Sequence, residues 1–424
     1  MTIVEVALHP GVVVGSAEAL QTDVIALASS ALGAMPLLRD GQSIDLSSRP
    51  DLAKHIRHVR VFDARAGLAA VSVHVHQLFD DEPAEEAVDG DEDTVAFQLY
   101  TLPSSEFDGL WESLIFEDGL QAQLLRYVST AMRFSESGVD GRLIQWNRVV
   151  LLHGPPGTGK TSLCKGLAHK LAIRMSHVYA QGHLVEVNAH SLFSKWFSES
   201  GKLVLGMFAR IREILEDEGG FVCVLIDEVE SLTAARQAAV SGSEPSDAVR
   251  VVNALLTQLD QLRRHKNVLV LTTSNLTKCI DDAFLDRADI KQYIGPPPVA
   301  ARYQILQGCV TELGRVGILA PFEPLLDVAT LGTMLPSPPP SFEQLAALPD
   351  GGATSSSPRN SMALHAVAAA CEGCSGRALR KMPFLAHALH TPSTEAPLPV
   401  ETYLAALHAT ALSERHGRES LVVR

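Results

Sequence analysis

The chain has 424 residues, 46% of them hydrophobic and 20% charged, with a formal net charge of −14. At roughly 100–200 residues per domain that length suggests a few structural units, and the apolar fraction excludes a disordered or collagen-like chain. Lys and Arg total 35 against 49 Asp and Glu, so a dominant phosphate-backbone interface with nucleic acid is not expected, although nine of the acids crowd into residues 80–93.

The first residues, Met1-Thr2-Ile3-Val4-Glu5, lack the basic segment and long apolar core of a signal peptide. No uncharged run reaches the ~18 residues of a membrane span, and a soluble intracellular protein is expected. Residues 1 to about 78 carry alternating patches, Val59-Arg60-Val61-Phe62 and Ala70 to Val75, with a helix predicted around Val24–Leu32. That pattern reads as a small α+β N-terminal domain, residues 1–95. The acidic run 80–93 within it reads as a solvated loop, because its charges repel and it has little to bury; a docking tail for a basic partner is the alternative. A strand follows at Val95–Leu102, then an amphipathic helix around Gln121–Phe134, with Leu124, Leu125, Val128 and Met132 on one side.

From Trp146 the pattern becomes apolar strand, glycine turn, helix, repeated. Residues 149–152, 221–226 and 268–272 are short continuous apolar runs, as expected for parallel strands covered on both faces. Between them, Val204, Met207, Phe208, Ile211, Ile214 and Leu215 form one helical face. Val249, Val252, Leu255, Leu256, Leu259 and Leu262 form another, with Ser246 as its N-cap. The alternation predicts a doubly wound parallel α/β sheet in residues 96–300. Past Gly295-Pro296-Pro297-Pro298 the chain reads as helical, residues 301–424. It is interrupted by a Pro/Ser/Gly stretch, 334–361, that reads as a flexible insertion. The six cysteines do not make a disulfide framework. Cys371-Glu372-Gly373-Cys374 has no second pair or histidines at zinc spacing, and reads as a small-residue helix surface.

The chemistry is concentrated in three places. Gly154-Pro155-Pro156-Gly157-Thr158-Gly159-Lys160-Thr161 fits G-x-x-x-x-G-K-[ST], directly after a predicted strand and opening a helix. Glycines let backbone N–H groups curl around a phosphate, and the helix N-terminus adds free donors and a positive dipole end. Lys160 would reach the β- and γ-phosphate oxygens, and the Thr161 hydroxyl would ligate Mg²⁺; Ser162 completes the candidate ATP-binding set. Second, strand 221–226 ends in Asp227-Glu228. Asp227 would hold Mg²⁺ through water, and Glu228 would orient and deprotonate the attacking water. This acid pair favours a hydrolase over a small-molecule kinase. Third, strand 268–273 runs into Ser274-Asn275, and a polar side chain at that strand end can reach the γ-phosphate or the water.

These motifs, in this order and spacing, resemble those of AAA+ ATPases. The segments Ser191 to Lys202, Asp227 to Arg236, Glu244 to Asp247, Asp286 to Pro297 and Cys374 to Arg377 narrow the resemblance. They look like the pachytene checkpoint protein 2 / thyroid receptor-interacting protein 13 family, densely over about 146–300 and faintly over 1–95. The resemblance implies an AAA+ P-loop sheet with a C-terminal helical lid. It also implies a homo-hexameric ring that partly unfolds HORMA-domain proteins, converting closed conformers to open, with a HORMA-fold adaptor presenting them. Work on chromosomes and kinetochores, in nucleus and cytoplasm, would follow, with no direct nucleic acid and no membrane contact. Lys195-Trp196-Phe197 matches the pore loop, where a flat aromatic such as Trp196 grips any chain by dispersion; a buried core Trp is the alternative. Arg287 falls at the arginine-finger position, with a surface ion pair as the alternative, and Arg377 matches the second sensor of the lid. Two other readings are an AAA+ enzyme acting on nucleic acid and a nucleotide-gated scaffold that needs no turnover. A protease is excluded, since neither H-E-x-x-H nor G-x-S-x-G occurs.

Overall fold

The computed structural model describes residues 2–10, 12, 22–26, 41–47, 49–63, 71–87, 95–117, 119–188, 200–230, 247–275, 280, 282–347, 356–391 and 397–422. The expected pore loop Lys195–Phe197, the N-cap Ser246 and most of the helix expected at 24–32 lie outside these residues. The chain divides into two compact units. One holds residues 1–114, 122–153 and 160–293; the other holds 115–121, 154–159 and 294–424.

The first unit contains two sheets. Strands β1 (Thr2–Leu8), β2 (Gln42–Ser43), β3 (Ile56–Phe62) and β4 (Val71–Gln77) form a sheet of order β2-β3-β1-β4. β1 runs antiparallel to β3 and parallel to β4. Val4, Val6 and Leu8 of β1 join Val59 and Val61 of β3, with Val24 and Leu52, in a small core of its own.

The larger sheet collects β5 (Ala84–Ala87), β6 (Val95–Leu102), β7 (Val149–His153), β8 (Gln181–Asn188), β9 (Gly220–Asp227), β10 (Val268–Ser274) and β11 (Ile290–Tyr293), in the order β11-β7-β10-β9-β8-β6-β5. The five strands from β11 to β8 are parallel, as the strand–helix alternation predicts; β6 and β5 extend the sheet antiparallel. Its helices are α1 (Leu120–Glu136), α2 (Lys160–Arg174), α3 (Ser200–Leu215) and α4 (Asp247–Leu262). The faces read from periodicity are the ones buried: Leu124, Leu125, Val128 and Met132 in α1. Val204, Met207, Phe208, Ile211 and Leu215 of α3 meet Val252, Leu255, Leu256, Leu259 and Leu262 of α4 in one core. The alternate side chains Val149, Leu151, Val222, Val224, Val268 and Val270 of the central strands complete it.

Part of the acidic run is not the solvated loop expected of 80–93. Residues 84–87 form β5, paired to β6 at the edge of the nucleotide-type sheet. Charge does not prevent an edge strand. Its polar side chains stay in water, they discourage further strand pairing, and Glu86 finds Arg210 at 3.2 Å.

The second unit is helical: α5 (Val299–Arg315), α6 (Ser357–Ala370), α7 (Gly376–His390) and α8 (Val400–Val422), with short helices at Val328–Met334 and Phe342–Ala346. Tyr303, Leu306, Leu364, Val367, Leu379, Met382, Tyr403 and Leu407 are among its core. The stretch 334–361 is not simply a flexible insertion. Ser341 and Gln344 form a reciprocal capping box on Phe342–Ala346, and Leu345 is buried. Ser357-Pro358 starts α6, because proline fits a helix's first turn, and Glu323 accepts the N–H groups of Ser356 and Ser357 at 2.9 and 3.0 Å. Residues 348–355 lie outside the described set. Cys371 and Cys374 are likewise not on a helix surface; both are buried in the turn between α6 and α7.

Candidate active site

β7 ends at His153, and α2 begins at Lys160. The turn between them needs its glycines: Gly154, Gly157 and Gly159 have φ of 145°, 75° and 94°, a region L side chains avoid. Space is a second reason. A Cβ on Gly154 would lie 2.1 Å from the Ile294 carbonyl oxygen, and one on Gly157 would lie 2.9 Å from Ser375 Oγ. Within the turn the Thr158 hydroxyl donates to the Pro155 carbonyl at 2.9 Å. Ser375 caps α7 by accepting from Ala378 N at 3.3 Å. Two residues on, Arg377 N donates to the Gly157 carbonyl at 3.1 Å. Arg377 therefore stands beside the phosphate-type loop in the second unit through its backbone N–H.

In the first unit, the start of α2 faces the ends of β9 and β10. Lys160, 5% exposed, donates to Asn275 Oδ1 at 2.9 Å. Thr161 Oγ1 donates to Asp227 Oδ1 at 2.9 Å, an oxygen that also accepts the Thr273 hydroxyl. Ser162 lies in the same first turn of α2. Glu228 has φ of 59°, strain that a non-glycine residue holds only where its surroundings enforce it. Two contacts enforce it here: Glu228 N donates to Thr273 Oγ1 at 3.2 Å, and Asn275 Nδ2 donates to Glu228 Oε1 at 3.3 Å. Asn275 N donates in turn to Glu230 Oε1 at 3.0 Å. Burial pushes the Lys160 amine below its ordinary pKa, against the pull of Glu230, Asp227 and Glu228.

Thus Lys160, Thr161, Asp227, Glu228 and Asn275, spread over 116 residues of sequence, meet in one cluster. Thr273 and Glu230 belong to it and carry no sequence expectation of their own. The signal for Thr273 was faint: it is one of the polar residues at which the apolar run of β10 gives out. The signal for Glu230 was a third acid two residues beyond the Asp-Glu pair.

The profile described as "ATPase family associated with various cellular activities (AAA)" matches residues 150–296, and "TRIP13-like, AAA+ ATPase lid C-terminal domain" matches 298–415. A pachytene checkpoint protein 2 homolog of Oryza sativa subsp. indica is 54% identical over 349 residues, 81% of this chain and 72% of that one. The chain belongs to the pachytene checkpoint protein 2 family. The solved structure of C. elegans PCH-2 is similar over 98% of this chain and 99% of its own, with a TM-score of 0.78 and 33% identity. The E. coli MS115-1 Trip13, solved in complex with HORMA and CdnC, shares the fold over 73% of this chain and 93% of its own, with a TM-score of 0.53 and 16% identity.

As a member of this family the chain is an AAA+ ATPase, and the cluster around Lys160 lies within the residues that the AAA profile matches. The Thr161 hydroxyl and the Asp227 carboxylate, 2.9 Å apart, are hard oxygen donors of the kind Mg²⁺ takes. Arg287 is engaged within its own unit: Nε and Nη2 donate to the Asp260 carboxylate at 3.0 and 2.8 Å, and Nη1 to the Ala283 carbonyl at 2.6 Å. The ion pair weighed as the alternative to a finger is therefore present. Among the described residues no helix is long and apolar enough to cross a membrane.

Proposed function

We propose that this ATPase works as a homo-hexameric ring that couples ATP turnover to partial unfolding of HORMA-domain proteins, converting closed conformers to open. A HORMA-fold adaptor presents them, and the work serves meiotic chromosome or spindle-checkpoint control in nucleus and cytoplasm. Family membership supports the substrate class, as does the E. coli protein of this fold caught with a HORMA partner. The division of labour follows chain order: residues 1–95 for recognition, 96–300 for hydrolysis and 301–424 as lid. The observation that carries a motor rather than a scaffold is the strained Glu228, pinned by Thr273 and Asn275; a site that only held ATP would have no use for it.

In this reading the backbone of 154–159 cradles the phosphates, with Pro155, Pro156 and Thr158 shaping the turn. Lys160 neutralises the β/γ oxygens in exchange for its present partner Asn275. Glu228 takes the proton of the attacking water, and Asn275 orients that water. Mg²⁺, held by Thr161 and Asp227, would supply further neutralisation of phosphate charge. Arg377 senses the γ-phosphate from its place beside Gly157. Arg287 acts as the finger toward a neighbouring subunit once it leaves Asp260, and Lys195-Trp196-Phe197 grip the substrate chain. Glu228→Gln removes only the base. ATP retention should persist while turnover falls about a hundredfold or more, measured by phosphate release beside nucleotide binding. Wild-type turnover in that variant would sink the assignment.

A further inference from the structure

The turn that precedes Arg377 carries chemistry the ATPase reading does not use. Cys371 ends α6, and Cys374 N donates to its carbonyl at 3.1 Å, with Gly373 at φ 73° supplying the left-handed residue. Such a turn keeps the Cα atoms of its ends within about 7 Å, and a disulfide spans Cα atoms roughly 4.4–6.8 Å apart. Both thiols are buried in this turn, and Cys371 Sγ lies 3.6 Å from Met382 Sδ. Cys374 Sγ accepts from Arg418 Nη2 at 3.1 Å, and the same nitrogen donates to the Glu372 carbonyl at 3.1 Å. The neighbouring Cys371 thiol and the guanidinium of Arg418 hold the Cys374 thiol below its ordinary value against burial, while Cys374 and burial push Cys371 up. The Arg418 guanidinium on Cys374 Sγ favours a thiolate there, and the turn sets Cys371 beside it as the resolving thiol. Ser375 and Arg377, the next residues along, touch Gly157 of the phosphate loop.

We propose that Cys371 and Cys374 form a reversible disulfide that shifts the Ser375–Arg377 turn against Gly157 and so lowers ATP turnover. The oxidant is a small peroxide, since Cys374 is only 2% exposed. The Cys374 thiolate attacks one peroxide oxygen; the S–O bond forms as the O–O bond breaks, and the departing hydroxide takes up the proton that Cys374 released. Cys371 sulfur then attacks the sulfenic sulfur. The S–S bond forms, and the sulfenic oxygen leaves as water with the Cys371 proton. Two thiols are oxidised and one hydrogen peroxide is reduced to two waters; a dithiol reductant reverses the change. The disulfide removes the thiolate that Arg418 holds, so the turn loses one of its two ties to α8.

The test uses the full chain treated with hydrogen peroxide, then blocked with iodoacetamide, digested and mapped by mass spectrometry, with ATP turnover read in parallel. The expected result is a Cys371–Cys374 linked peptide, a fall in turnover of about threefold or more, and recovery with dithiothreitol. Cys374→Ser and Cys371→Ser should keep their turnover under the same peroxide. Absence of the linked peptide overturns the proposal without any variant. A linked peptide with unchanged turnover, or equal losses in both serine variants, overturns it too. Turnover before peroxide is the control: if there is none, the ATPase reading fails instead.

Discussion

Gly157 shows how little freedom a single residue has at this site. Its φ of 75° already excludes most side chains, and an added Cβ would meet Ser375 Oγ at 2.9 Å and Arg377 Cβ at 3.3 Å. Gly157→Ala should therefore weaken ATP binding by tenfold or more, since a strain of about 1.4 kcal/mol or above is a factor of ten. Titration with a fluorescent ATP analogue measures this, and unchanged affinity would mean that loop and turn both yield freely. Asn275 is the second instructive residue. Its amide accepts from Lys160 and donates to Glu228, so one side chain spaces the proposed phosphate-binding cation from the proposed base. Asn275→Asp would keep the acceptor and lose the donor, placing a second carboxylate against Glu228. Turnover should fall by about tenfold or more with ATP affinity changed much less. A fall in affinity alone would assign Asn275 to binding.

At the scale of elements, α2 is the piece that ties the two sheets of the first unit together. Its first residues meet β9 and β10, while its far end reaches β1. There Lys170 Nζ lies 2.5 Å from Glu5 Oε2 and 2.6 Å from Glu112 Oε1, and 4.1 Å from the Phe62 ring centroid. Arg174 adds a contact to Glu5 at 3.3 Å. Lys170 and Glu5 are almost fully buried, so removing one partner strands the other; Lys170→Met should cost about 3 kcal/mol or more, read as a lowered midpoint of unfolding. The pH dependence has a definite sign. Burial would raise the Glu5 carboxyl, but Lys170 and Arg174 outweigh it and hold it below its ordinary value. Its stabilising share is present above the unfolded pKa and is lost as pH falls through the folded one. Burial lowers His76 to about 4 and His169 to about 3, so the unfolded chain binds protons first as pH drops below about 6.5. Stability should therefore decline from pH 6.5 downward, by about 1.4 kcal/mol per pH unit for each histidine. A flat melting profile between pH 7 and 5 would contradict these burials.

The elements also show what a sequence makes legible. β7, β9 and β10 stand out because they are covered on both faces and read as unbroken apolar runs. β11 alternates half-buried and exposed residues at the sheet edge, and β8 mixes Gln181, His183 and Glu186 among its apolar residues, so neither carries such a run. β5 is hidden by its charge, and the short helix at Phe342–Ala346 by the prolines before it. Motif chemistry located Lys160, Thr161, Asp227, Glu228 and Asn275, because phosphate and water impose those residue types at those places. Thr273, Glu230 and the Lys170–Glu5 pair arise only when distant strands and helices close on one another, and local pattern does not encode that.

For the whole molecule, the charge excess matters less than its distribution. Part of the acidic run caps the sheet as an edge strand, and in the proposed mechanism ATP, itself an anion, is met by backbone N–H groups and Lys160 rather than by bulk positive charge. Ring assembly belongs to this scale. With ATP bound, the Glu228→Gln chain should run at the mass of six chains by light scattering, and a monomer at micromolar protein would argue against the ring. The central claim is that hydrolysis at Glu228 drives remodelling. The direct measurement follows a purified closed HORMA-domain protein with its adaptor, this chain and ATP, scoring closed and open conformers by ion-exchange chromatography. ATP-dependent appearance of the open conformer is expected with wild type and none with Glu228→Gln. ATP consumption by wild type with the closed conformer left intact, or conversion by Glu228→Gln at the wild-type rate, would contradict it.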